Sequence, residues 1–344
     1  MRVLALLLLL CLPWSNVLAQ EKKVLNVYAW SGFLPDPVIK AFEQETGIQV
    51  NYSTYINNEV LYAKLKTNMG SGYDLVMPSA YFINRMASQD LLQKIDHKRL
   101  TQTKHLNPQF LKREHDPNND YCLPFLWSST GIVVNKKYHD PKTIQTWADF
   151  WDPQYHNQLL ALDDVREMFS IALLVLGYSV NTQNPEEIEA AYRKLKGLMP
   201  NIKLFNMDTV RSIYIDEDIT LGMGWSGDCF LAQAENPNLD FIYPQDGFII
   251  SLDCLAIPKH AVHVNYAHQF IDFLCRPEIA KQIAMETGFA TANLSAKRLL
   301  PEAMQRSPIL YPNEQTLARA QLQLDVGEAA ALYEKQFEWL KLSD

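Results

Sequence analysis

The chain has 344 residues, of which 48% are hydrophobic and 20% are charged, and its formal net charge is −8. This length suggests about two domains with cores of ordinary size, and the composition excludes a disordered chain and a polytopic membrane protein. Nucleic acid is excluded as a partner on the same grounds, because an acidic chain without a basic stripe has nothing to neutralise phosphate charge.

The N-terminus has the pattern of a secretory signal. Arg2 precedes an apolar run from Val3 to Leu12, and Val17-Leu18-Ala19 supplies a cleavage site. The run is too short for a membrane span, and no later segment reaches about 18 uninterrupted apolar residues. We therefore predict a signal peptide over residues 1–19 and an exported mature chain that does not insert into a membrane.

Strand and helix patterns alternate from the start of the mature chain. Val24 to Tyr28 alternates as a strand does, and the spacing of apolar residues predicts a helix from Asp36 to Thr46 that ends at Gly47. The strand IQVNYSTY, a helix from Asn58 to Thr67 and the strand YDLVMPS follow. This order is typical of a parallel sheet whose strands are connected by helices.

The alternation starts again after Trp127. The predicted strands are GIVVNKKY, LLALDD, IKLFN and ITLGMGWSG, and the helices between them are VREMFSIALLVLG and PEEIEAAYRKLKGLMP. The strand FIISLDCLAIP precedes two helices, roughly Asn265 to Cys275 and Glu278 to Thr287. No Pro/Gly/Ser-rich linker separates the halves. We predict an α/β protein of two lobes, each a mainly parallel sheet flanked by helices, with a cleft between them.

Aromatic and acidic residues follow the predicted strands, where open α/β sheets bind their ligands. Aromatic faces pack on alkyl chains and attract ammonium groups, and carboxylates accept their charge-assisted hydrogen bonds. An elongated organic cation matches this lining. The residues at these positions are Trp30, Ser31, Phe33, Ser79, Tyr81, Asp164, Glu167, Trp225, Asp228, Ser251 and Asp253.

Structural interpretations compete with binding at some of these positions. Asp164 and Glu167 have the spacing of a helix cap, and Trp30 and Trp225 are also explained as core residues. Asp253 is harder to explain in this way, since it lies in an apolar strand and a buried carboxylate needs a partner.

Four cysteines remain after cleavage of the signal. Their even number permits two disulfides in an oxidising compartment, but no CxxC motif is present. We therefore favour buried, small apolar side chains for Cys122, Cys229, Cys254 and Cys275. The chain also has no GxGxxG, GxxxxGK[ST], GxSxG or HExxH motif, so we predict no enzyme activity, no cofactor and no metal site.

A series of segments resembles one family along nearly the whole mature chain, from about Lys23 to Lys341. They include YAWSGFLP, FEQETGIQVNYSTY, YDLVMPSAYF, DDVRE, LGMGWSGD, DCLAIP and QLDVGEAAALYE. In this they resemble the spermidine/putrescine-binding periplasmic proteins of bacterial ATP-driven importers. The resemblance implies a type II periplasmic binding protein, a monomer that holds a polyamine between its lobes and delivers it to the membrane permease of an ABC importer. The implied lobes are residues 20–126 plus 253–297 and residues 127–252 plus 298–344.

The resemblance also implies roles for individual residues. The aromatic walls fall on Trp30, Phe33, Trp225 and Phe289, the hydroxyl contacts on Ser31, Ser79 and Tyr81, the amine-binding acids on Asp164, Glu167 and Asp253, and an amide contact on Gln323.

Two positions depart from the spermidine-preferring pattern. Ser251 stands where an aromatic residue is usual, and Asp228 matches the putrescine-preferring branch, whereas Tyr81 matches the spermidine branch. The preferred polyamine is therefore open, with putrescine favoured. The alternatives are a receptor for another cationic amine and, from a different class, a secreted glycoside hydrolase that uses a pair of carboxylates.

Overall fold

The computed structural model describes residues 22–67 and 70–342. The predicted signal peptide, residues 1–19, lies outside the described residues. The strands are β1 (Val24–Trp30), β2 (Gln49–Tyr55), β3 (Leu75–Val76), β4 (Leu92–Gln93), β5 (Leu123–Asn135), β6 (Leu159–Leu162), β7 (Ile202–Asn206), β8 (Leu221–Trp225), β9 (Leu239–Ile242), β10 (Phe248–Leu255), β11 (Ile257–Pro258), β12 (Ala290–Thr291) and β13 (Ala320–Leu322).

The α-helices alternate with these strands, and short 3-10 turns fill several of the loops. The helices are α1 (Asp36–Thr46), α2 (Asn58–Thr67), α3 (Ala80–Ser88), α4 (Val165–Val175), α5 (Pro185–Lys196), α6 (Val210–Ile215), α7 (Ser226–Glu235), α8 (Val264–Leu274), α9 (Pro277–Thr287), α10 (Leu294–Leu299), α11 (Glu302–Gln305), α12 (Glu314–Leu317) and α13 (Ala330–Lys341).

The first sheet is parallel, with the strand order β2-β1-β3. Helix α1 covers it with Val38, Ile39 and Phe42, the apolar stripe that its sequence predicts. Gly47 ends α1 at a φ of 67°, a left-handed conformation that glycine adopts without a Cβ clash, and its N–H donates to the carbonyl of Glu43. Local pattern is therefore sufficient to place these elements.

The second, larger sheet has the order β13-β10-β5-β8-β6-β7. Strand β6 pairs in parallel with β7 and β8, and β10 pairs in parallel with β13. Strand β5 instead runs antiparallel to β8, β9, β10 and β12. Every residue of α4 from Val165 to Leu174 is buried, as its nearly continuous apolar sequence indicates.

Strand β5 is longer than the predicted strand GIVVNKKY. It begins at Leu123 and is buried at every position to Asn135, so the chain passes through Trp127 without interruption. The predicted lobe boundaries at residues 126/127 and 252/253 thus fall inside the paired strands β5 and β10. The division into lobes stays a prediction, in which the chain passes from one lobe to the other within β5 and within β10.

A disulfide joins Cys122, just before β5, to Cys254 in β10, with the two Cα atoms 5.2 Å apart. Our interpretation of these two cysteines as free side chains was therefore wrong, whereas Cys229 and Cys275 are free and buried as expected. The reason is long-range: antiparallel pairing places Cys254 opposite Pro124, two residues from Cys122, and a separation of 132 residues conceals this in the sequence.

Within residues 22–67 and 70–342, no helix has both the length and the apolar character needed to cross a bilayer.

Candidate functional site

A cavity of about 420 Å³ lies among the ends of strands from both sheets. All thirteen residues that the sequence analysis singled out line it, although Ser251 and Asp253 lie inside β10 rather than at its end. They are Trp30, Ser31, Phe33, Ser79, Tyr81, Asp164, Glu167, Trp225, Asp228, Ser251, Asp253, Phe289 and Gln323.

Asp164 caps helix α4 and lines the cavity at the same time. Its Oδ1 accepts hydrogen bonds from the backbone N–H groups of Arg166 and Glu167, at 2.8 and 2.9 Å. The side chain of Glu167 is buried in the first turn, and its Oε2 has no hydrogen-bond partner among the described residues. Capping and cavity lining are therefore compatible, and Glu167 presents a buried carboxylate to the cavity.

Burial changes the proton affinity of these acids. It raises the pKa of Glu167 to about 8, with a smaller contribution from the negative charge of Asp164. The pKa of Asp164 is also raised, by burial, although its two backbone hydrogen bonds oppose the change. Glu59, which the sequence analysis did not single out, has a pKa raised to about 7 by burial and by Asp164. Glu59 is not among the lining residues, whereas a cation bound beside Asp164 and Glu167 would favour their ionised forms and lower their pKa values.

Asp253 in β10 has a hydrogen-bond partner, as expected for a carboxylate in an apolar strand. The Ser79 hydroxyl donates a hydrogen bond to its Oδ1 at 2.8 Å. Asn58 orients this group, because its Nδ2 donates both to Ser79 Oγ, at 3.2 Å, and to the Tyr81 hydroxyl, at 3.0 Å. Burial nevertheless raises the pKa of Asp253 to about 7, which the Ser79 hydrogen bond only partly offsets.

Aromatic rings form one wall of the cavity. The centroids of Trp30 and Phe33 are 6.2 Å apart, and those of Phe33 and Phe289 are 5.4 Å apart. The indole N–H of Trp30 favours the ionised form of Asp253, since a hydrogen-bond donor lowers the pKa of a carboxyl group. Trp30 and Trp225 also pack against the hydrophobic cores, so both the core and the cavity interpretations of these residues are correct.

The remaining polar groups lie on other elements. Asp228 is half-buried in the first turn of α7, and burial raises its pKa to about 6 against the opposing charge of Arg211. The Ser251 hydroxyl lies 3.5 Å from Gln323 Oε1, while the buried Gln323 Nε2 has no partner in the described chain.

Sequence reasoning missed part of the lining. Tyr55 ends β2 and Asn58 begins α2, so the strand-end rule applied to β2 would have found both. The residues around α6 had no such signal. The missed residues are Gly32, Tyr55, Ile56, Asn58, Ser128, Met207, Asp208, Thr209, Arg211, Ser212, Glu286 and Thr287.

The charge of the described lining is strongly unbalanced. Its acids are Asp164, Glu167, Asp208, Asp228, Asp253 and Glu286, and among the described residues Arg211 is the one arginine or lysine that lines the cavity. Carboxylates in a partly desolvated cavity attract cations and repel anions. The cavity therefore selects a cationic ligand with an apolar body.

Comparison with known proteins agrees with this chemistry. The family model described as bacterial extracellular solute-binding protein matches residues 38–312. This chain belongs to that family. The spermidine/putrescine-binding periplasmic protein of Salmonella typhimurium is 44% identical over 332 residues, 96% of this chain and 95% of that protein. Its counterpart in Escherichia coli K12 is 43% identical over the same shares of both chains.

Solved structures share the fold of this solute-binding protein. A structure from Listeria monocytogenes aligns with a TM-score of 0.90 and 33% identity over 94% of this chain and 100% of that one. The spermidine/putrescine substrate-binding protein PotD of Streptococcus pneumoniae aligns with a TM-score of 0.78 and 33% identity over 93% and 99%. The predicted type II binding-protein fold and periplasmic location are confirmed. The family binds solutes rather than transforming them, so the hydrolase alternative is wrong.

Proposed function

We propose that this protein binds a polyamine, putrescine or spermidine, in the cavity and delivers it to the permease of an ABC importer. One observation carries the proposal: the cavity lining has six carboxylates and one guanidinium, beside a wall of aromatic rings. A polyamine has ammonium groups separated by methylene chains and matches both features. Relatives that are named spermidine/putrescine-binding proteins over nearly the full chain support the same ligand class.

The thirteen predicted lining residues are the proposed contacts. Asp164 and Glu167 hold one ammonium group with their buried carboxylates, which both line the cavity. Asp253 holds a second, positioned by Ser79. Trp30, Phe33, Trp225 and Phe289 pack on the methylene groups, while Ser31, Tyr81, Ser251 and Gln323 complete the polar contacts and Asp228 adds a further acid. The protein acts as a monomer whose two lobes close on the ligand.

Calorimetry with the purified mature protein tests this function. We expect one molecule of putrescine or spermidine to bind per chain, and N-acetylputrescine to bind at least about 100-fold more weakly. Acetylation removes a charge and leaves a buried carboxylate without its partner, which costs about 3 kcal/mol or more. Equal affinities for putrescine and its acetylated form would refute polyamine binding. Tight binding of a different amine alone would instead support the alternative receptor.

The preference between polyamines is proposed to depend on Asp228 and Ser251. Asp228 adds a carboxylate that attracts an ammonium group near Trp225. Ser251 lacks the aromatic face that would pack on the methylene groups of a longer ligand. We expect putrescine to bind at least as tightly as spermidine. In competition assays Asp228→Ser should weaken putrescine binding more than spermidine binding, and Ser251→Trp should shift the preference towards spermidine. Unchanged putrescine affinity in Asp228→Ser would remove the basis for this preference.

A further inference from the structure

Arg211 lies among acids but is paired with none of them. It is exposed on the short helix α6, next to Met207, Asp208 and Thr209, which also line the cavity. None of the ion pairs among the described residues includes it. Its positive charge therefore acts on the cavity without being neutralised by a direct carboxylate partner.

The helix packing brings this charge towards one particular acid. Helices α6 and α7 are neighbours, and α7 carries Asp228 in its first turn. Both side chains line the cavity, and the positive charge of Arg211 favours the ionised form of Asp228. A guanidinium that stabilises Asp228 also repels any ammonium group that approaches this part of the cavity.

We propose that Arg211 limits the number of positive charges that the cavity accepts, so that the protein discriminates against the more highly charged polyamines. This inference rests on the proposed polyamine function. A fixed positive charge repels every ammonium group of a ligand, so the penalty grows with the number of ligand charges. The carboxylates attract the ammonium groups of the ligand, and the Arg211 charge opposes the binding of ligands that carry more of them. Nothing in the local sequence, which reads NMDTVRSIYI, indicates such a role.

The experiment compares putrescine, spermidine and spermine, which carry two, three and four amines. Calorimetry at low ionic strength is done on wild type and Arg211→Gln, a variant that removes the charge and keeps a polar side chain. We expect Arg211→Gln to bind spermidine about threefold to tenfold more tightly than wild type, with a larger gain for spermine and a smaller one for putrescine. The gains should shrink in high salt, because exposed charges are screened.

Two matched variants separate the local effect of the Arg211 charge from the effects of net charge and of changing the side chain. Arg193→Gln changes the net charge equally on α5, where the Arg193 side chain is 65% exposed and pairs with Glu189, and it should leave the affinity ratios unchanged. Arg211→Lys keeps the charge and should keep the wild-type ratios.

The outcomes distinguish the two proposals. Equal changes in affinity for all three ligands in Arg211→Gln would overturn the proposed role of Arg211. Weaker binding of all three ligands would overturn it as well, because Arg211 would then be a ligand contact or part of a lid. Failure of the wild type to bind any of the three amines would overturn the polyamine function itself.

Discussion

Asp163 and Asp164 are adjacent acids in contrasting environments. Asp164 is buried and caps α4, whereas the Asp163 side chain is 39% exposed and forms an ion pair with Lys341 at 2.7 Å. Two residues of the same type, one position apart, thus allow a matched test of whether charge or capping matters at the cavity.

We expect Asp164→Asn to weaken polyamine binding about 100-fold while the free energy of unfolding changes little. Asparagine caps helices as well as aspartate does, so the substitution removes the charge and keeps the cap. Loss of one partner from a desolvated charge pair costs about 3 kcal/mol. Asp163→Asn should change the affinity less than about threefold, since exposed ion pairs contribute little. Calorimetry and urea unfolding measure the two quantities, and an Asp164→Asn variant with wild-type affinity would contradict the proposed contact.

Binding should release protons, because several cavity acids are partly protonated near neutral pH. The pKa values of Glu167, Asp253 and Asp228 are raised to about 8, 7 and 6. A bound cation favours the ionised carboxylates and lowers these values. We expect affinity for putrescine to rise from pH 6 to pH 8.5, and titrations in buffers of different ionisation enthalpy to detect released protons. The Glu167→Gln variant should release fewer protons on binding putrescine than wild type does. A putrescine affinity that does not depend on pH would contradict this linkage between binding and proton release.

The same acids predict how the ligand-free protein responds to pH. Their folded-state pKa values lie above the unfolded ones, so the folded chain binds more protons than the unfolded chain between about pH 4 and pH 8. Their contribution to stability is fully present below the unfolded pKa and is lost as the pH rises through the folded values. Thermal unfolding should therefore show a Tm that falls from pH 5.5 to pH 8.5, less steeply with saturating polyamine.

At the scale of elements, the disulfide is the feature that local pattern did not predict. Cys122 and Cys254 hold the start of β5 against β10, directly beside Asp253. A cross-link between residues 132 positions apart restricts the unfolded chain over a long loop. It therefore stabilises the strand pair on which the position of Asp253 depends.

We expect the double variant Cys122→Ala/Cys254→Ala to lose about 2 to 5 kcal/mol of unfolding free energy, the range usual for a native disulfide. Reducing agent should lower the stability of wild type by a similar amount and leave the double variant unaffected. Cys275→Ala removes a buried free thiol and serves as the control, because its stability should still respond to reductant. A wild-type Tm that is insensitive to complete reduction would argue against a stabilising cross-link.

At the scale of the whole molecule, we expect the buried acids to favour an open state without ligand. Glu167 is 4% exposed and Asp253 is 6% exposed, and burying such carboxylates is costly unless a cation accompanies them. Ligand thus stabilises the closed form through its differential affinity. Outside the cavity, Arg85 of α3 pairs with Asp325 at 3.1 Å and so connects the two predicted lobes.

Small-angle scattering should show a smaller radius of gyration at saturating putrescine than without ligand. Arg85→Ala should weaken binding a few-fold and leave the ligand-free radius unchanged, because we expect its ion pair with Asp325 to form only in the closed state. Arg306→Ala serves as the control, because it breaks an exposed ion pair between Arg306 and Glu302 of α11. It should change neither the radius of gyration nor the binding affinity. An unchanged radius on ligand addition would indicate a rigid molecule.

Much of this protein is determined by local sequence. Apolar periodicity located α1 and α2 at their observed bounds, and strand ends carried several of the acids and aromatic residues that meet in the cavity, among them Trp30, Asp164 and Trp225. Strand and helix propensity act within a few residues, and strand ends converge once a parallel sheet forms, so such features can be read along the chain.

Tertiary structure alone decided the rest. The extension of β5 through Trp127, the Cys122–Cys254 disulfide, the hydrogen bonds of Asn58 to Ser79 and Tyr81, and the place of Arg211 in the cavity all depend on segments far apart in sequence. Antiparallel register and helix packing bring these groups together. The same packing removes water from Glu167 and Asp253, and this desolvation, which no local pattern encodes, sets their pKa values.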